Sequence, residues 1–218
     1  MSAAGNNPMP SHQELANFSN LKIGILALQG CVKPHRQHLE AAGVTVVEIK
    51  KSSDFINLDG VILPGGESTT LLKLIRLFDL KIDLDFAAQN IPLWGICAGS
   101  ILMAKKVKHP TQESFAYMNF EIERNAYGRQ LQSFETDIDG AQVAFIRAPL
   151  IQKVGPNTKT LAQNAGAPVW VEEGMHMVTA FHPELSIARP SKIHINFLEK
   201  CAAQKNKRHG ISETTSQT

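Results

Sequence analysis

Through the first half of this 218-residue chain, short and almost uninterrupted apolar runs alternate with helix-patterned segments. The run 22–28 leads to a helical pattern over 34–42. The run 44–49 follows, 60–63 leads to 68–77, and 91–96 leads to a helix over 98–107. Strands without polar alternation are buried on both faces, and helices between them make parallel crossovers. The pattern therefore predicts an α/β domain with a mostly parallel central sheet flanked by helices on both faces. Between Phe120 and Arg147 the runs 120–123, 132–138 and 142–146 instead alternate polar and apolar residues, which predicts an antiparallel extension at one side of the sheet. A final helix over about 191–202 closes the domain. The polar segments 1–20 and 202–218 lack periodicity and read as flexible tails around a single domain, 21–201.

Composition removes several function classes. With 43% hydrophobic and 19% charged residues the chain can bury one sizeable core. A net charge of +2, without a dense lysine and arginine run, argues against a nucleic-acid or membrane surface. Cys31, Cys97 and Cys201 lie far apart with no C-x-x-C spacing, so neither a metal site nor a disulfide framework is expected, and a reduced compartment fits. The start has no charged segment leading to an apolar one, and no span approaches eighteen apolar residues, which points to the cytoplasm.

Two corners carry candidate chemistry. Gly95-Ile96-Cys97-Ala98-Gly99 follows the apolar Ile91-Pro92-Leu93-Trp94 and reads as a strand turning sharply into a helix with a thiol at the corner. The flanking glycines remove side chains that would block such a turn, and amide groups at the helix start favour a thiolate and can face an oxyanion. The second corner is Phe181-His182-Pro183-Glu184, where an apolar strand ends. Residues i and i+2 of an extended segment share a face, so Glu184 can reach one ring nitrogen of His182 and leave the other to take a thiol proton. Cys97, His182 and Glu184 then form a nucleophile, a base and its orienter.

Other segments are less specific alone. Leu63-Pro64-Gly65-Gly66-Glu67-Ser68-Thr69-Thr70 joins a strand to a helix; Ser68 suits its N-cap, and Gly65-Gly66 can aim an amide at an oxyanion opposite Cys97. It lacks the P-loop ending and the dinucleotide-binding glycine spacing. Arg124-Asn125-Ala126-Tyr127-Gly128-Arg129-Gln130 and Phe145-Ile146-Arg147-Ala148-Pro149 put guanidinium groups at strand ends, where each can hold a substrate carboxylate or a surface acid. His35 and His38 have helical i, i+3 spacing and no nearby acidic or thiol ligand, and read as an exposed pair.

Together with Leu26-Ala27-Leu28-Gln29-Gly30 and Phe181-His182-Pro183-Glu184-Leu185, these segments resemble the glutaminase subunit of the two-component pyridoxal 5′-phosphate synthases, a branch of the class I glutamine amidotransferases. The likeness spans about 22–200. It implies a flavodoxin-like three-layer fold and hydrolysis of L-glutamine to glutamate and ammonia, with Cys97 as nucleophile, His182 as base and acid, and Glu184 orienting it. It implies glutamine contacts from Gly66, Glu67, Ser68, Arg124, Ile146 and Arg147, and an oxyanion hole from Gly65, Gly66 and Ala98. It also implies ammonia transfer through a channel to a synthase partner, near silence without that partner, and no metal or organic cofactor.

Three features depart from the family pattern. Ile96 stands where a threonine is common, Pro34-His35-Arg36 replaces a more acidic helix start, and the polar tract from Lys108 to Met118 has no diagnostic counterpart. Rival readings are a glutaminase serving nucleotide or aromatic amino-acid synthesis, an intracellular cysteine peptidase, and a regulatory subunit with an idle triad. The peptidase would need a histidine soon after the elbow, whereas the first one there is His109.

Overall fold

The computed structural model describes residues 18–124, 126, 134–138 and 140–215, with side chains to Arg208. Seven strands form the main sheet: β1 (Lys22–Leu26), β2 (Thr45–Ile49), β3 (Gly60–Leu63), β4 (Leu93–Ile96), β10 (Lys159–Asn164), β11 (Ala167–Glu173) and β12 (His176–Thr179). Their order is β10-β11-β12-β4-β3-β1-β2. The five strands from β2 to β12 pair in parallel, whereas β11 and β10 add antiparallel at the edge. This parallel order, with a switch between β1 and β3, gathers loops at the carboxyl edge, where ligands of such sheets bind.

The sheet is buried on both faces because successive side chains alternate between two cores. On β3, Ile62 joins the core that contains Ile23, Trp94, Phe181 and Phe197. Its neighbours Val61 and Leu63 join the opposite core with Leu71, Ile75, Leu84 and Leu102. The first core is covered by helix α1 (Val32–Ala41) and the last helix, α5 (Lys192–Thr215), through Leu39, Ile193 and Phe197. The second is covered by α2 (Ser68–Leu77), α3 (Lys81–Asn90) and α4 (Ala98–Met103). The three-layer α/β expectation holds.

Details differ from the sequence reading. The alternating segments of the middle do not extend the main sheet. Strand β6 (Met118–Glu123) lies in a separate sheet ordered β5-β6-β9, with β5 (Ala104–Lys108) and β9 (Leu150–Val154), while β7 (Phe134–Ile138) and β8 (Ala141–Phe145) form a two-stranded hairpin. The helix expected over 98–107 stops at Met103, because Ala104 turns extended and the next residues pair with β6.

At the amino end, Phe18 is already buried, so the folded part begins before Leu21, and residues 1–17 lie outside the described residues. The segment 202–215 is not a tail but the continuation of α5. Asp59, nearly buried, accepts from Lys205 Nζ at 2.9 Å and from Arg208 Nη2 at 3.0 Å, which ties the extension to the domain. Residues 216–218 lie outside the described residues. Among the described residues no helix is long and apolar enough to cross a membrane.

Candidate active site

Cys97 follows β4 and precedes α4 with φ 47° and ψ −98°, a conformation that side chains other than glycine seldom adopt. Its environment holds it there: its N–H donates to Thr179 O at 2.9 Å, and its carbonyl accepts from Ile101 N at 3.2 Å and Ser100 Oγ at 2.6 Å. The elbow glycines are required by close approach. A side chain on Gly99 would overlap the Leu63 carbonyl, and one on Gly95 would meet the Gly99 backbone 2.7 Å away. Backbone strain at a functional-type residue, sustained by its surroundings, is characteristic of active sites.

Beside it, β12 ends and the chain reaches His182, whose N–H donates to Ala144 O at 2.7 Å, so strand β8 helps to set the imidazole's position. Nδ1 lies 2.7 Å from Glu184 Oε1, the i, i+2 contact expected from the sequence. The same ring meets the thiols of Cys97 and Cys31. Burial opposes charge on His182, but hydrogen bonding with Cys31, Cys97 and Glu184 outweighs it, and the pKa is pushed up to about 12. Burial likewise opposes the Glu184 carboxylate, and its interactions with the His35 and His182 rings outweigh it and pull its pKa down. The site is thus built to stabilise an imidazolium, the form His182 takes on accepting a thiol proton.

Gly65 packs directly against that ring: a methyl group there would overlap His182 Cε1. Gly66 follows with φ 148° and abuts the Gln29 amide. Gln29 in turn clamps Glu67 through both backbone groups, accepting from its N–H at 3.3 Å and donating to its carbonyl at 3.2 Å. The Gly65-Gly66 loop therefore lies against the imidazole, and Ala98, first residue of α4, follows the elbow cysteine.

The N-cap of α2 is Glu67 rather than Ser68. Its carboxylate accepts from Thr69 N at 3.0 Å and Thr70 N at 2.6 Å, satisfying amides that a serine hydroxyl would reach only singly. Burial raises its pKa, yet the amides and hydroxyls of Thr69 and Thr70 hold it down at about 2. Ser68, buried, instead donates to Gln112 Oε1 at 2.8 Å, which gives the polar 108–118 tract a place in the site. Arg124 donates to Glu67 Oε1 at 3.3 Å and Thr69 Oγ1 at 3.1 Å. Of the motif that begins at Arg124, residues 125 and 127–130 lie outside the described residues. Ile146 and Arg147 sit just beyond β8, with Arg147 exposed at φ 44°.

Two readings from sequence need correction. His35 and His38 are not an exposed pair: both are 0% exposed. Helix α1 turns that face inward against α5 and the turn 183–185, where His38 Nε2 donates to Glu184 O at 3.1 Å. The sequence points to no role for Cys31, yet its thiol meets the same imidazole as the elbow cysteine. Its place just after Gln29-Gly30, at the carboxyl end of a parallel strand, is the signal that could have found it. Among the described residues, Cys31, His182 and Glu184 are also a group whose possible metal-ligating atoms lie within 4.8 Å of one another, but an ion there would compete with the His182–Glu184 hydrogen bond.

Comparison with known proteins gives the family and the fold. The profile of the SNO glutamine amidotransferase family matches residues 25–203. The pyridoxal 5′-phosphate synthase subunit PdxT of Solibacter usitatus is 42% identical over 82% of this chain and 98% of its own length. That of Parafrankia sp. is 41% identical over 88% of this chain and 98% of its own. Among solved structures, a glutamine amidotransferase superposes with TM-score 0.76 at 36% identity, covering 82% of this chain and 98% of that one. PurLQS from Thermotoga maritima, at 13% identity and TM-score 0.53, shares the fold.

Proposed function

The chain belongs to the SNO glutamine amidotransferase family, and from that premise we propose that Cys97, His182 and Glu184 hydrolyse L-glutamine through a glutamyl thioester. The function is glutamine hydrolysis that supplies ammonia for pyridoxal 5′-phosphate synthesis, with a synthase subunit as the acceptor. The observation that carries the residue assignment is the strained Cys97 elbow facing a histidine whose other nitrogen is held by Glu184 at 2.7 Å.

In this reading the Cys97 thiol passes its proton to His182 and attacks the side-chain carboxamide carbon of glutamine. The tetrahedral oxyanion is taken by backbone N–H groups of Ala98 and the Gly65-Gly66 loop. His182 returns the proton to the departing nitrogen, releasing ammonia, and then activates a water against the thioester to yield glutamate and the free thiol. Arg124, Ile146 and Arg147 contact the glutamine with Gly66, Glu67 and Ser68. Because the Glu67 carboxylate already serves the α2 amides and Arg124, its part is to hold that arginine.

Turnover waits on the synthase partner, which completes the oxyanion loop and receives the ammonia. The reading assigns the reaction to the cytoplasm, where Cys31, Cys97 and Cys201, free in the structure, stay reduced. No resident cofactor enters the scheme. The test is ammonia and glutamate release from L-glutamine by the purified chain, alone and with a pyridoxal 5′-phosphate synthase subunit. Stimulated, equimolar release is expected. Silence in a chain shown to bind the synthase subunit would instead make it a regulatory component.

A further inference from the structure

Behind the triad lies a chain of buried polar groups that the hydrolysis scheme does not use. His35 on α1 and His194 on α5 are 0% exposed, and Ser191, just ahead of α5, is 1% exposed. Ser191 Oγ lies 2.7 Å from His194 Nδ1, and His194 Nε2 lies 3.0 Å from His35 Nδ1. His35 Nε2 then faces Glu184 Oε2 at 3.6 Å. Those last two atoms are buried and have no other hydrogen-bond partner. A gap of that size is too short to seat a water between them and closes with a shift of a few tenths of an ångström.

Only one direction of protons suits this chain. If His35 carried its proton on Nδ1, its Nε2 lone pair would face a carboxylate oxygen across a buried gap of 3.6 Å. With the proton on Nε2, His35 donates toward Glu184, its Nδ1 accepts from His194 Nε2–H, and His194 Nδ1 accepts from the Ser191 hydroxyl. The remaining groups around His35 fit that arrangement. Trp94 packs against both rings at 5.6 and 4.9 Å between centroids. His38 sits beside His194 with its own tautomer fixed, Nδ1 accepting from Ser191 N at 3.1 Å and Nε2 donating to Glu184 O. Burial pulls His35 down to about 4, against the pull of Glu184 and with that of His38 and His182, so it is a neutral donor at working pH.

We propose that His35 is a positioning residue for the hydrolysis, donating Nε2–H to Glu184 Oε2 so that the other carboxylate oxygen stays locked on His182. Glu184 would otherwise hold one buried oxygen without a donor, and rotation of the carboxyl group would release His182 from its orienter. The inference rests on the reading given under Proposed function. It extends the triad to Cys97, His182, Glu184, His35, His194 and Ser191.

The test uses two near-isosteric substitutions that separate the two ring nitrogens, assayed in the complete complex with the synthase subunit. The amide nitrogen of His35→Gln can occupy the Nε2 position and still donate to Glu184. The amide oxygen of His35→Asn occupies the Nδ1 position, keeps the link to His194 and leaves Glu184 without its donor. The expected result is kcat about tenfold lower in His35→Asn with KM unchanged, and most of that loss recovered in His35→Gln. Equal losses in both, or full activity in His35→Asn, would assign His35 to helix packing and overturn the proposal. Should neither variant fold, ¹⁵N-histidine NMR of the wild-type chain decides: a neutral ring protonated on Nε2 is required, and a ring protonated on Nδ1 overturns it. A wild-type complex that releases no ammonia would sink the hydrolytic reading instead, while the NMR result would still judge the placement of His35.

Discussion

Cys97 spends conformational energy that the rest of the site sustains. A positive φ on a residue with a side chain costs on the order of 1–3 kcal/mol, and here the surrounding hydrogen bonds to Thr179, Ile101 and Ser100 hold it. The same economy of space governs Gly65, whose missing side chain is what admits the His182 ring. Gly65→Ala is therefore expected to displace the imidazole and lower kcat by about a hundredfold or more, while the thermal midpoint moves little. Circular dichroism melting beside steady-state glutaminase assays checks this, and near-wild-type kcat would show that the ring does not need that space. At this scale the Cys97 elbow and the His182–Glu184 contact are legible in sequence because their signals are local: two glycines around a cysteine, and an i, i+2 pair at a strand end. Glu67 as the cap of α2 was not, because Ser68 suits the position equally and only the turn geometry decides which side chain faces the free amides.

Helices α1 and α5 meet across a polar seam of His35, His38 and His194, and that seam makes a pH prediction. Burial holds all three, and His176 beside Leu93, below the ordinary histidine value. An unfolded chain protonates them near pH 6.5, so the stability they contribute is present above that value and is lost as pH falls below it, for His35 down to about 4. His182 opposes this only in part: its folded pKa is raised, so its contribution is complete just below pH 6.5 and fades as pH climbs toward about 12. Glu184, with a lowered pKa, enters only below the ordinary carboxyl value of 4.5. Between pH 7 and pH 5 His35 alone should cost about 2 kcal/mol of unfolding free energy. Urea titrations at the two pH values measure it, and a flat profile would mean the seam admits water. The i, i+3 spacing showed that His35 and His38 share a face of α1. It could not show that the face packs on α5, which lies about 150 residues later in the chain.

For the molecule as a whole, the parallel order and the two cores were readable because apolar runs with helices between them admit few other arrangements. The small β5-β6-β9 sheet and the β7-β8 hairpin were not, since alternation marks a strand as half-buried without naming its partner. The continuation of α5 was missed for a related reason: its polar sequence carries no apolar stripe, and it is anchored by charge, with Lys205 and Arg208 meeting the nearly buried Asp59. Removing residues 204–218 should therefore cost about 1–3 kcal/mol by leaving Asp59 short of donors, without changing glutaminase kcat. Denaturant titration of the truncated chain tests this, and an unchanged midpoint would return that segment to the status of a tail.

All of these scales serve one assignment, that of two thiols beside one imidazole only Cys97 is the nucleophile. Partner-stimulated ammonia release from L-glutamine, compared between Cys97→Ala and Cys31→Ala, tests it most directly. No turnover is expected in the first and sustained turnover in the second. Release that survives Cys97→Ala, or that disappears only with Cys31→Ala, would contradict it.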